Sequence, residues 1–149
     1  MIQIEEVTQV TDELMDAFKR LVPQLSSTNP APTVAEVTQM VQSPATVVLI
    51  ARDMGKPHGA IVGSLTLALF RIPTAMRAWI EDVVVDDESR GQGIGEALVR
   101  KAVEIAAQSG AKTVDLTSRP SRESANRLYV RVGFEKRETN IYRYKIEQK

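Results

Sequence analysis

The sequence predicts an α/β fold, a central twisted mixed sheet with helices on both of its faces. A length of 149 residues is that of one domain, and a fold of this size can bury a self-sufficient core. The composition, 43% hydrophobic and 26% charged, is typical of globular proteins. Apolar residues recur with a period of two in some segments and with helical spacing in others. Because no repeat or linker interrupts this pattern, we expect a single domain over residues 1–149.

The first half of the chain predicts a strand, two helices and a hairpin of two strands. The first helix has Thr11 as a candidate N-cap, and Pro23 is expected to stop or kink it near its end. Turn-forming residues over 53–59 separate the two strands of the hairpin. In order, these five elements are expected over residues 2–7, 12–25, 34–41, 46–51 and 60–70.

The second half predicts a strand, a helix, a strand, a helix and two short final strands. Gly110 and Gly133 follow the last turns of the two helices, a position where glycine commonly ends a helix. The final segment, Phe134 to Ile146, is predicted to form two strands that turn at Thr139 and Asn140. The other four elements are expected over residues 78–85, 93–108, 113–116 and 121–132. The complete predicted order is therefore β-α-α-β-β-β-α-β-α-β-β.

Composition and charge exclude several classes of function. Lys and Arg together number 19, as do Asp and Glu, so the net charge is zero and a nucleic-acid partner is disfavoured. The absence of cysteine from the sequence excludes disulfides, thiolate nucleophiles and cysteine-ligated metals. A single histidine, His58, cannot build a histidine-rich metal site, so no metal is expected.

Neither a signal peptide nor a membrane span is predicted. The N-terminal residues are acidic and lack a continuous apolar run. The most apolar segment, Gly59 to Phe70, has 12 residues, whereas a spanning helix needs about 20. We therefore expect a cytoplasmic protein without a membrane partner.

The stretch from Trp79 to Gly95 is the most informative for chemistry, because a buried strand there runs into a glycine-rich turn that opens a helix. Gly91, Gly93 and Gly95 allow successive backbone N–H groups to approach a ligand closely. The helix N-terminus adds a partial positive charge, and Arg90 adds a formal one. Together these features predict a site for a pyrophosphate or a similar anion.

Spacing separates the families that use such a turn. A P-loop requires Gly-Lys followed by Ser or Thr, which does not occur in this sequence. A dinucleotide fingerprint requires G-x-G-x-x-G, but its third glycine position is occupied by Glu96 or Leu98. The remaining pattern, R-x-x-G-x-G at Arg90, Gly93 and Gly95, resembles the acetyl-CoA site of the GCN5-related N-acetyltransferases (GNAT).

A second segment strengthens this resemblance. Residues Ala125 to Phe134, ANRLYVRVGF, are similar to the A-x-x-L-Y-x-x-x-G-F that the superfamily carries on its next helix. Within the family, the stretch IEDVVVDDESRG over residues 80–91 resembles in part the glucosamine-6-phosphate N-acetyltransferases. The resemblance, which covers about half of the chain, implies a GNAT-like fold and acetyl-CoA as co-substrate.

The resemblance also implies which residues hold acetyl-CoA. On the strand that precedes the glycine-rich turn, one backbone amide would polarise the thioester carbonyl of acetyl-CoA. The other backbone groups of that strand would contact its pantetheine arm. The residues in contact with that arm would be Val83, Val84 and Val85. The pyrophosphate would lie in the turn formed by Arg90, Gly91, Gln92, Gly93, Ile94 and Gly95.

Two further residues are candidates for cofactor contact. Family members often carry an asparagine where this sequence has Arg122, so Arg122 is expected to reach a cofactor phosphate instead. Asn126 is the only asparagine nearby and lies on a different face of the same helix.

Two residues are predicted to move protons. Tyr129 matches the family tyrosine that protonates the departing CoA thiolate, whose basicity is comparable to that of a phenol. Glu81 is expected to accept a proton from the substrate ammonium, through water. Consecutive strand residues face opposite sides, so only one of Glu81 and Asp82 should point at the substrate, with Glu81 on the face of Val83 and Val85. The simpler alternatives to these catalytic roles are that Tyr129 is a core tyrosine and that Glu81 is a solvated carboxylate at the sheet edge.

These observations predict an enzyme that transfers an acetyl group from acetyl-CoA to a primary amine by direct attack, without a covalent enzyme intermediate. The acceptor would be a small-molecule or peptide amine, and a homodimer is compatible with the family. The alternative is a catalytically inactive CoA-binding or regulatory module with the same fold. A nucleotide-binding protein is the third possibility, which the glycine spacing disfavours.

Overall fold

The computed structural model describes residues 1–148, in which five strands and four helices are formed. The elements are β1 (Ile2–Glu6), α1 (Asp12–Leu25), α2 (Val34–Gln42), β2 (Thr46–Asp53), β3 (Ala60–Ile72), β4 (Ala75–Val85), α3 (Ile94–Gln108), β5 (Thr113–Asp115) and α4 (Glu123–Val132). The strands form one sheet in the order β1-β2-β3-β4-β5, antiparallel except for the parallel pair β4 and β5. The predicted mixed α/β fold class is therefore confirmed.

Two hydrophobic cores lie on opposite faces of the sheet. On one face, here called the α1 face, helices α1 and α2 bury Leu21 and Val37 completely. On the other, the α3 face, helices α3 and α4 cover the sheet and Leu98 is completely buried. Because side chains alternate along a strand, β2 contributes Leu49 to the α3 face and Ile50 to the α1 face. Helices therefore cover both faces, as predicted.

Helix α1 continues past its internal proline. The Thr11 side chain caps the N-terminus by accepting a hydrogen bond from the Leu14 N–H at 3.1 Å, as predicted. The helix ends at Leu25, the predicted boundary two residues past Pro23, and the Ser26 N–H still donates to the Val22 carbonyl. Pro23 lies in the last turn, where the bond lost with its missing N–H disturbs little of the helix.

Strand β4 contains one extra residue relative to β3. Thr66 pairs with Glu81 whereas Ser64 pairs with Val84, so two steps along β3 correspond to three along β4. The extra residue forms a bulge at Asp82, whose φ of +51° lies in the left-handed region. Beyond the bulge, each side chain occupies the face opposite to the one that simple alternation predicts.

The final segment differs from its prediction. No strand is formed between residues 134 and 148, so the two short strands predicted for Phe134 to Ile146 are wrong. Phe134 still packs on the α3 face, with its ring edge-on to Tyr129 at 5.9 Å between centroids. All side chains from Glu135 onward in the described chain are exposed. An alternating pattern forms a strand only where a second strand is available to pair with it.

Over residues 1–148, no helix has both the length and the apolar character that a bilayer crossing requires.

Candidate active site

A cleft of about 130 Å³ opens where β4 and β5 separate. The two strands pair only from Arg77–Thr113 to Trp79–Asp115, and beyond Trp79 the edge of β4 has no partner strand on that side. The bulge at Asp82 increases the local twist of β4 and re-aims its side chains at this position. The cleft is lined by Leu25, Ile80, Glu81, Asp82, Val83, Leu116, Thr117, Arg122 and Tyr129.

Tyr129, on α4, is brought into this cleft with only 8% of its surface exposed. Burial raises the pKa of its phenol above the ordinary value of 10.0, and the positive charge of Arg122 partly offsets that rise. The hydroxyl therefore keeps its proton at neutral pH. A protonated phenol at the cleft wall has the chemistry of a general acid.

Glu81 and Asp82 both line the cleft. The bulge at Asp82 interrupts the alternation of side chains along β4, and two consecutive residues border the same space. For the same reason, Glu81 does not share a face with Val83 and Val85. Ile80 packs on the α3 face before the bulge, and Val83 and Val85 pack on that face after it.

The two carboxylates have different surroundings. Both residues are exposed, and Glu81 accepts a hydrogen bond from the Trp79 indole N–H at 2.8 Å. Burial, and secondarily the negative charge of Glu81, raise the pKa of Asp82 above its ordinary value of 3.8. Asp82 is the residue that sequence reasoning missed. The available signal was its residue type, because Asp is among the few side chains that tolerate a positive φ.

The glycine turn between β4 and α3 leaves open space in front of its backbone. Gly91 and Gly93 have φ values of +79° and +75°, and a Cβ added to either would meet no atom within 4 Å. Gly93 is the N-cap residue of α3 and provides no capping side chain, which leaves the first helical N–H groups available to an anion. Arg90 stands beside the turn, largely exposed, in an ion pair with Asp87 at 2.8 Å. The turn therefore fits a pyrophosphate.

The other residues of the turn have structural roles. The Ile94 side chain is buried in the core, so only its backbone is available to a ligand. A Cβ at Gly95 would lie 3.2 Å from Leu128 Cδ1, so glycine at this position allows α3 to pack closely against α4. Gln92 is exposed at the tip of the turn.

The predicted strand contacts lie along the open edge of β4. Val84 is buried on the α1 face, while Val83 and Val85 are half-buried on the α3 face. Val84 and Val85 pair with β3 on one side, and no β5 residue pairs with this part of β4 on the other. Backbone groups on that open side are therefore available to an extended ligand.

The structure separates the two remaining candidates. Arg122, the N-cap residue of α4, lines the cleft together with Tyr129. Asn126 is not among the lining residues, and its Nδ2 donates to the Arg119 carbonyl at 2.9 Å. Asn126 thus fixes the loop that leads into α4, and Arg122 is the better placed of the two for a ligand.

Two relatives and one solved structure indicate the family context. An uncharacterized N-acetyltransferase of Methanocaldococcus jannaschii is 41% identical over 84 residues, 56% of this chain and 37% of that protein. A probable glucosamine 6-phosphate N-acetyltransferase of Oryza sativa subsp. japonica is 36% identical over 93 residues, 59% of this chain and 53% of that protein. The chain thus spans about half the length, or less, of these relatives. A crystal structure of a transcriptional regulator from Bacillus halodurans C-125 has the same fold, with a TM-score of 0.81 at 24% identity over 97% of this chain and 100% of that chain.

The rice relative confirms the partial resemblance to glucosamine-6-phosphate N-acetyltransferases. The broader assignment depends on a longer stretch of sequence. Residues 8–134, well over half of the chain, match the Acetyltransferase (GNAT) family, and the protein belongs to that family.

Proposed function

We propose that the protein is an acetyl-CoA-dependent N-acetyltransferase that transfers the acetyl group to a primary amine by direct attack. Membership of the GNAT family supports acetyl transfer, and the glycine turn supports a pyrophosphate-bearing donor. The observation that carries the proposal is the position of Tyr129. A buried phenol that retains its proton lines the same cleft as two carboxylates.

Binding of the donor would use backbone more than side chains. The open edge of β4 at Val83, Val84 and Val85 offers N–H and C=O groups to the pantetheine arm. An amide on this edge would polarise the thioester carbonyl as the amine attacks it. The α3 N-terminus and Arg90 would hold the pyrophosphate, with Arg122 available to a further phosphate.

Proton transfers on the two sides of the reaction would use different groups. The amine attacks only when neutral, so a base must accept its proton, and Glu81, an exposed carboxylate that lines the cleft, would do so through water. The carbon–sulfur bond breaks as the nitrogen–carbon bond forms. Tyr129 would then donate its proton to the departing thiolate.

The donor is tested by titrating acetyl-CoA, ATP and NAD separately into the wild type and a Gly93→Trp variant by calorimetry. We expect binding of acetyl-CoA alone, and its loss in the variant because the indole fills the open space in front of the turn. A wild type that binds none of the three ligands contradicts the proposal.

Chemistry is tested with Tyr129→Phe, by following release of free CoA thiol with a panel of amines that includes glucosamine 6-phosphate and a peptide. We expect kcat to fall by about 10²–10⁴-fold with unchanged affinity for acetyl-CoA, since the variant lacks only the proton donor. Tyr142→Phe, at an exposed tyrosine that does not line the cleft, is the matched control. Acetyl-CoA binding without turnover of any amine by the wild type would instead favour the catalytically inactive CoA-binding module.

A further inference from the structure

The last two turns of helix α1 contact the connecting segment, here defined as residues 86–90, which leads from β4 into the glycine turn. Arg20 and Gln24 lie four residues apart, on one face of α1. The Arg20 Nε donates to Asp86 Oδ2 at 3.1 Å. The Asp87 N–H donates to Gln24 Oε1 at 2.8 Å. In the described chain, the side-chain hydrogen bonds that join the connecting segment to another element both come from α1.

Both side chains of α1 are held by a second contact. The Arg20 Nη2 donates to the Ile61 carbonyl on β3, so the guanidinium bridges β3 and Asp86. The Gln24 Nε2 donates to the Arg20 carbonyl at 3.1 Å, which leaves its Oε1 to accept from the Asp87 N–H. The Asp86 side chain is only 13% exposed, so water competes little for its bond with Arg20. Arg20 and Gln24 together are here called the α1 clamp.

The glycine turn requires support from outside because its own backbone is permissive. Gly91 and Gly93 adopt positive φ and have open space around them. Glycine loses more conformational freedom on ordering than any other residue, so contacts made elsewhere must hold the turn in one shape. The connecting segment can transmit such support, since Ser89 is completely buried and its N–H donates to the Asp86 carbonyl at 2.8 Å.

The α1 clamp also acts on the charge beside the turn. The Asp87 carboxylate holds the Arg90 guanidinium at 2.8 Å, while the Asp87 backbone is bonded to Gln24. The Arg90 and Asp87 side chains are 61% and 64% exposed, and a pair this open to water is weak. Arg90 can therefore exchange Asp87 for a phosphate, from a position that Gln24 helps to set.

The last turn of α1 borders the cleft as well. Leu25, the residue after Gln24, lines the cleft together with Tyr129. A donor with its thioester in the cleft and its pyrophosphate in the glycine turn must span both places at once. One turn of helix thus contacts the two ends of the space that such a donor would occupy.

We propose that Arg20 and Gln24 are positioning residues for the donor, which hold the glycine turn at the distance from the cleft that acetyl-CoA requires. This inference rests on the proposed function, since it concerns the same donor. Neither residue lines the cleft, so neither is placed to touch the reacting atoms. Loss of either contact should weaken binding of acetyl-CoA and leave the chemical step unchanged once the donor is saturating.

Hydrogen exchange of the ligand-free protein, followed by NMR, tests the positioning without any donor. The N–H groups of Ser89 and Ala97 are hydrogen-bonded on either side of the glycine turn. We expect Gln24→Met and Arg20→Met to speed exchange at these two amides at least about threefold. Methionine is an unbranched, good helix former that lacks the hydrogen-bonding groups of both residues.

The matched control is Gln39→Met, at an exposed glutamine on α2. This variant should exchange as the wild type does, and Ala106, near the far end of α3, should be unaffected in every variant. Exchange at Ser89 and Ala97 that is the same in the wild type and both clamp variants would overturn the proposal.

Calorimetric titration with acetyl-CoA measures the consequence for the donor. We expect the Kd to rise roughly 3–10-fold in Gln24→Met and at least as much in Arg20→Met. Because Gln24→Met changes no charge, weaker binding by this variant cannot come from lost attraction to the phosphates. An unchanged Kd in Gln24→Met would refute the positioning role and leave the proposed function standing. A wild type that does not bind acetyl-CoA would refute the proposed function, and this inference with it.

A shortened donor separates the glycine turn from the cleft. S-acetylpantetheine has the thioester and the arm of acetyl-CoA but no pyrophosphate. We expect kcat/KM with S-acetylpantetheine to be equal in the wild type and Gln24→Met, and kcat/KM with acetyl-CoA to fall roughly 3–10-fold in the variant. Equal losses with both donors would show general damage to the fold and contradict a role in positioning the turn.

Discussion

Glu81 and Asp82 form a pair of like charges whose interaction is measurable at the level of single groups. Burial is the larger cause of the raised pKa of Asp82, and the neighbouring charge of Glu81 is the smaller. We expect Glu81→Gln to lower the pKa of Asp82, because removing a like charge favours the ionised form, but to leave it above 3.8 because burial remains. A titration followed by carboxyl ¹³C NMR measures the pKa of Asp82 in the wild type and in Glu81→Gln.

The control for this experiment is Asp87→Asn, which removes a carboxylate in the glycine turn rather than in the cleft. Its effect on Asp82 should be smaller than that of Glu81→Gln, since screening by water weakens interactions between distant charges. An unchanged pKa of Asp82 in Glu81→Gln would mean that the two carboxylates do not interact across the cleft.

Sequence reasoning found the candidate residues of the cleft better than it found their orientation. Both Arg122, the N-cap residue of α4, and Tyr129, in the second half of the same helix, line the cleft. The alternation rule failed at Glu81 because one left-handed residue, Asp82, interrupts the strand period. The residue type was the one signal, and it is a weak one, because most aspartates do not adopt a positive φ.

Among the elements, α1 allows a direct measurement of how much a single cap contributes. Thr11 accepts one of the hydrogen bonds that the first turn cannot satisfy internally. We expect Thr11→Ala to lower the free energy of unfolding by about 1 kcal/mol, measured by urea denaturation. Thr8→Ala is the matched control, since Thr8 is exposed and lies before the helix. Equal losses in both variants would show that the cap itself contributes nothing.

Sequence patterns predicted the elements from β1 to α4, but they did not predict the tail. The earlier elements form because each one buries an apolar face against the sheet or one of the two cores. The tail has an equally clear alternation at Tyr142, Tyr144 and Ile146, yet these side chains are exposed. A period of two specifies the shape that a segment can adopt, whereas a strand also requires an edge to pair with.

Across the whole molecule, Arg52 connects three elements that are distant in sequence. From β2, its guanidinium contacts Glu5 on β1 at 3.0 Å and Glu13 on α1 at 2.7 Å, and it also donates to the Gly59 carbonyl. We expect Arg52→Leu to lower the free energy of unfolding by about 1–3 kcal/mol, because several charge-assisted hydrogen bonds are lost together. Arg71→Leu, at the exposed end of β3, should cost less.

The same contact predicts a pH dependence with a definite sign. The hydrogen bond between Glu13 and Arg52 lowers the pKa of the Glu13 carboxyl below its ordinary value of 4.5. A lowered pKa in the folded state stabilises the fold above pH 4.5, and this contribution is lost as the pH falls. We therefore expect the stability difference between wild type and Arg52→Leu to shrink between pH 7 and pH 3, as measured by urea denaturation. A difference that stays constant would show that Glu13 contributes nothing through Arg52.

Asp82, the left-handed residue in β4, shifts the alternation of side chains between the two faces of the sheet by one position. Every position after Asp82 is displaced by half a period relative to the positions before it. A substitution at this position leaves the shift in place, whereas a deletion cancels it. Without Asp82, regular alternation from Ile80 would place Val84 on the α1 face and Val83 and Val85 on the α3 face, where they already lie. One missing residue would thus remove a carboxylate and the bulge from the cleft while the end of the strand keeps its faces.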